Sequence, residues 1–146
     1  MKTCNKKFQQ KVKKLIKKYM KLLDLEKWHI DIISSKSNML SYHRGKVSSS
    51  EVDYFAEVIY NYLSRYATIT FTKLQTIDKP EELENTIYHE LLHIKMSPLI
   101  QVVEALVTVS GLKRKKAMEL LIKIDVAEHE LIETIIKLTL AKKRDK

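Results

Sequence analysis

Five consecutive residues, His89-Glu90-Leu91-Leu92-His93, carry the densest chemistry in the chain. Side chains four apart on an α-helix point the same way, so both imidazoles can reach one divalent ion. Zinc is the first candidate, because imidazole nitrogen is one of its usual ligands. Glu90 is offset by about 100° of helical rotation. It stays beside the pair, where a carboxylate can take a proton from an activated water. Two histidines do not complete a catalytic zinc site, which usually has three protein ligands and an open position.

A third ligand must come from elsewhere, and residues near the C-terminus offer Glu128, His129, Glu130 and Glu133. At about 100° per residue, Leu120, Ile124, Leu131, Ile135 and Leu138 define an apolar sector, and Glu128 falls inside it. A carboxylate on a core-facing stripe needs a partner, since burying its charge alone is costly. A metal is one such partner; a lysine, tyrosine or arginine is the competing one. Glu130 projects roughly 90° or more outside that sector, and Glu133 lies further round. Glu128 is therefore the expected third ligand, with Glu130 and His129 as the alternatives. His129 otherwise reads as a polar-face residue.

These residues need elements to position them. Residues 8–25 repeat Phe8, Val12, Leu15, Ile16, Tyr19, Leu22 and Leu23 at helical spacing among lysines, which predicts a basic amphipathic helix. Trp28 to Ile33 reads as a short strand with Trp28, Ile30 and Ile32 on one face. Residues 34–50, with Gly45 and three consecutive serines, read as turn or loop. Residues 52–63 fit a helix, with Ser50 and Asp53 as a capping box, and fit a strand equally well. Ala67, Ile69 and Phe71 alternate with threonines, giving a clearer strand. Asp78 and Pro80 look like the start of the motif helix, which Ser97-Pro98 is expected to break near Met96. A second helix over 99–109 would end at Ser110-Gly111, and a last helix would run from near Leu112 to about Ala141. There is no internal repeat.

The basic helix, the Trp28 and Ala67 strands, the His89-Glu90-x-x-His93 motif and the later Glu128 together resemble the small zincin-like metallopeptidases. The nearest likeness is to minimal gluzincin-type proteins, often encoded by phage or other mobile elements, and it spans roughly residues 25–138. The resemblance implies an α+β fold with a small antiparallel or mixed sheet packed on helices. It also implies His89, His93 and Glu128 as zinc ligands, Glu90 as general base, and a peptide or protein substrate. It further implies that part of 52–58 is a strand and that the Ala67–Thr72 strand borders the cleft, where it could pair with extended peptide. Tyr42, His43, Tyr88 and His129 are candidates for stabilising the oxyanion. Two departures stand out. The interval from His93 to Glu128 is long enough for an additional helix, and no glycine follows His93 as in the extended metzincin pattern.

At 146 residues the chain fits one domain, 1–146, and its 45% hydrophobic content is ordinary for a globular protein. The lone Cys4 cannot form an internal disulfide. No signal peptide is legible, and no window reaches the roughly 20 apolar residues of a membrane span. The default compartment is therefore the cytoplasm. A formal charge of +9 gathers in lysine runs at 6–21, 113–116 and 142–146. These are solvated helix faces, or sites of weak electrostatic contact with nucleic acid. Two other functions follow from the same residues: a metal-stabilised accessory protein without activity, and a basic nucleic-acid-binding module.

Overall fold

The computed structural model describes residues 6–34, 42–43, 46–47, 56–71 and 80–141. The lysine-rich stripe folds as helix α1 (Lys6–Leu22), which buries Val12, Ile16 and Tyr19 and leaves Lys13, Lys14 and Lys17 in solvent. Leu22, expected on the buried stripe, is exposed. Strand β1 (His29–Ser34) follows, with Ile30 and Ile32 turned to the core. Two short strands, β2 (Tyr42–His43) and β3 (Lys46–Val47), pair antiparallel within the segment expected to be loop.

The ambiguous segment resolves as strand β4 (Ala56–Asn61), joined by a tight turn to β5 (Tyr66–Phe71). Asn61 Oδ1 accepts the Ser64 backbone N–H at 3.0 Å in that turn. The strands form a mixed sheet in the order β1-β5-β4, with β1 parallel and β4 antiparallel to the central β5. Ala67, Ile69 and Phe71 are fully buried because their shared face of the strand packs in one core with residues of α1 and α2. This topology corrects the expectation that the Ala67–Thr72 strand borders an open cleft. Both edges of β5 are already paired, and β4 is the edge strand on the motif-helix side among the described residues.

The motif helix α2 starts at Pro80, where a missing N–H is harmless, and places Glu81 and Glu82 in its positive first turn. The capping residues expected at Ser50, Asp53 and Asp78 lie outside the described residues. Leu83, Ile87, Leu91 and Ile94 on α2 join the sheet and α1 in one core, with the Tyr19 ring 4.6 Å from that of Tyr88. Glu84 accepts hydrogen bonds from Lys18, at 2.8 Å, and from the Tyr19 hydroxyl. Burial first, and then this carboxylate, hold the Tyr19 phenol well above the usual tyrosine range.

The predicted break at Ser97-Pro98 does not occur, and α2 runs unbroken from Pro80–Val109. Pro98 has no N–H for the carbonyl of Ile94, four residues back. The buried Ser97 hydroxyl donates to that same carbonyl at 2.8 Å, so the orphaned acceptor is satisfied inside the helix. Ser97→Ala should strand it and destabilise the fold by about 1–3 kcal/mol, measured by denaturant unfolding. An unchanged midpoint and slope would show that Pro98 is tolerated for another reason.

Gly111, with φ +69°, sits just past the end of α2 in the left-handed region that glycine adopts without strain. Helix α3 (Arg114–Ala141) then returns along α2. By length and composition alone Glu81–Val109 is apolar enough to cross a membrane, a property that the core helix of a globular protein shares. It is the single such helix among the described residues, and its first half forms the core just described. The architecture is α+β, a small mixed sheet packed against helices, one of which bears the His-Glu-x-x-His motif.

Candidate metal centre

One turn of α2 aligns His89 and His93, whose Nε2 atoms approach to 3.2 Å. Two nitrogens on a tetrahedral zinc are separated by about 3.3 Å, given zinc–nitrogen bonds of about 2.0–2.1 Å. The pair therefore already has the spacing that a shared ion requires. Helix α3 supplies the next group. Its buried face is built on Glu128, Ile132 and Ile136, whereas Leu120, Leu131 and Leu138, expected in the core, are exposed. The face is rotated from the predicted sector, and the rotation carries His129 toward α2. One ligand atom each from His89, His93 and His129 lie within 4.8 Å of one another.

Glu128 is buried as expected, but its carboxylate lies 2.8 Å from Nδ1 of His93. Glu133 Oε1 lies 3.3 Å from Nδ1 of His89. The third ring follows suit, with Nδ1 of His129 at 2.9 Å from the backbone carbonyl of Asp125. Each Nδ1 thus faces an acceptor, which favours the tautomer that carries its proton on Nδ1 and a lone pair on Nε2. Metal-binding histidines are generally held in this way, by an oxygen acceptor on the far side of the ring.

Burial, followed by the neighbouring His93 and His129 rings, lowers the His89 pKa from its usual value to about 4, with Glu133 opposing. A ring that resists protonation at neutral pH is available to a cation. Glu90, the next residue along α2, is buried against β4 and accepts the backbone N–H of Val58. Desolvation first, and then the carboxylate of Glu57 on β4, push its pKa up to about 8.

No protein-family model, curated protein or solved structure matches the chain. The chemistry therefore rests on the site itself. Three converging imidazoles fit zinc, and with Glu90 adjoining them they make a catalytic site of the zinc metalloprotease type.

Of the residues singled out from sequence, the structure brings together His89, His93, Glu128 and His129, while Glu90, next to His89 along α2, is buried against β4. Glu130 is exposed on the outer side of α3. Tyr88 is 3% exposed and packed on Tyr19. The side chains of Tyr42 and His43 lie outside the described residues. Glu133 was set aside as lying too far round the helix and Asp125 was not anticipated, though a signal for both exists. Asp125, Glu128, His129, Ile132, Glu133 and Ile136 fall at i, i+3, i+4, i+7, i+8 and i+11, one continuous helix face.

Proposed function

We propose that the protein is a zinc-dependent peptidase in which His89, His93 and His129 hold the metal through Nε2. Glu128, Glu133 and the Asp125 carbonyl orient those rings rather than bind the ion. The carrying observation is the convergence of three imidazoles from two helices, each with an acceptor at Nδ1, with the buried Glu90 next to His89 along the helix.

Zinc bound there supplies Lewis-acid polarisation of the scissile carbonyl and makes a water easier to deprotonate. Glu90 accepts the proton from the attacking water and delivers it to the departing amine nitrogen. Its raised affinity for a proton suits both transfers. The substrate is an extended polypeptide that adds to β4, whose Val58 already meets Glu90, so that backbone pairing presents a peptide bond to the site.

The test is cleavage of unfolded polypeptide mixtures by zinc-loaded protein, with products identified by mass spectrometry. Cleavage should stop on chelation and return when zinc is restored. Products that persist through chelation, or none above the protein-free control across a broad mixture, would contradict the proposal.

A further inference from the structure

Beyond the metal centre, the distal half of α2 and the first half of α3 form an arm that leaves the core. From residue 99 to residue 126 only Ile100 and Val107 are buried, although the segment is rich in aliphatic side chains. Leu99, Val102, Leu106 and Val109 are 60%, 58%, 62% and 78% exposed and repeat at three- and four-residue spacing along one side of α2. Glu104 is the single charged residue between Ser97 and Leu112, and it lies on the opposite side of the helix.

A helix that is apolar nearly all round belongs in a protein core or in lipid. This one is not in a core, since 28% of its most apolar 18-residue window is buried. Aliphatic exposure continues onto α3 at Ile122 and Val126, 47% and 53% exposed, so it is not confined to a single seam for one partner helix. Immediately past the row comes Lys113-Arg114-Lys115-Lys116, four exposed cations at the tip of the arm. An apolar face beside clustered Lys and Arg is the composition that settles into an anionic lipid interface.

We propose that the α2–α3 arm lies flat on an anionic membrane surface, with the Leu99–Val109 row among the acyl chains and Lys113–Lys116 among the headgroups. The row spans about 15 Å, from about 9 Å to about 24 Å along the helix from His93, at 1.5 Å per residue. At about 100° per residue His93 falls on nearly the opposite side of α2 from the row, so the metal centre faces away from the lipid that the arm engages. The proposal does not depend on peptidase activity.

Flotation with vesicles of phosphatidylcholine alone, and of phosphatidylcholine mixed with phosphatidylglycerol, tests it on the full-length protein. Wild type should partition onto the mixed vesicles at least about tenfold better, and added salt should weaken the association. Joint Val102→Ser, Leu106→Ser and Val109→Ser replacement should reduce partitioning by roughly tenfold or more. Joint replacement of residues 113–116 by glutamine should do the same. Leu106→Trp provides a gain of signal, an emission shift to the blue on mixed vesicles that wild type lacks. Equal partition onto both vesicle types, undiminished binding by the serine variant, or no shift from Leu106→Trp would overturn the proposal. So would a lipid-free dimer in sedimentation equilibrium that the serine variant dissolves, which would assign the row to a second copy of the chain.

Discussion

Glu90→Gln should lower peptide hydrolysis by roughly 10²- to 10⁴-fold, the usual contribution of a positioned general base, while leaving zinc content unchanged. Glutamine preserves the shape of the side chain and can still accept the Val58 N–H, but it cannot carry a proton between water and amine. The fold should not suffer. Burial and Glu57 already disfavour the Glu90 charge, so removing it relieves a strained ionisation rather than breaking a pairing. Steady-state kinetics beside elemental analysis of the same samples separates the two effects. Full activity in the variant would remove Glu90 from the chemistry, and lost zinc would instead make it part of the metal's support.

Zinc affinity should rank the two α3 residues in an order opposite to that expected from sequence. Glu128→Gln removes a carboxylate that faces Nδ1 of His93 at 2.8 Å. Loss of such a ring-orienting partner costs about 10–100-fold in metal affinity. His129→Ala removes a candidate ligand from the cluster of ring nitrogens and should cost more. Exposed Glu130→Ala should cost nothing measurable. Competition against a chromophoric chelator reads all three. If Glu128→Gln is the more damaging and His129→Ala leaves affinity intact, the carboxylate is the ligand and the histidine a bystander.

The two α3 residues also show where sequence reasoning stops. The motif pair was legible because one helical turn fixes the relative direction of His89 and His93 whatever surrounds them. Strands β1 and β5 and the stop at Gly111 were legible for the same reason: alternation and glycine act locally. The buried face of α3 is not a local property. Aliphatic residues lie on several sides of that helix, and their number favoured the sector holding Leu120, Leu131 and Leu138, all of which are exposed. Packing selected instead the face holding Ile132 and Ile136, and with it His129.

Strand β4 was undecidable for a related reason. Its side chains suit a helix or a strand, and its conformation is set by pairing from Ala56↔Phe71 to Asn61↔Tyr66 with its neighbour. The missed continuity of α2 has a smaller cause. Proline rules describe the lost backbone hydrogen bond, and here the residue just before it, Ser97, supplies a replacement donor.

X-ray absorption at the zinc edge of the metal-loaded wild-type protein tests the central claim most directly. Three imidazole nitrogens per zinc at about 2.0–2.1 Å, with an oxygen donor completing the set, is the predicted result. Two imidazoles with a protein carboxylate, or zinc bound without imidazole, would contradict it.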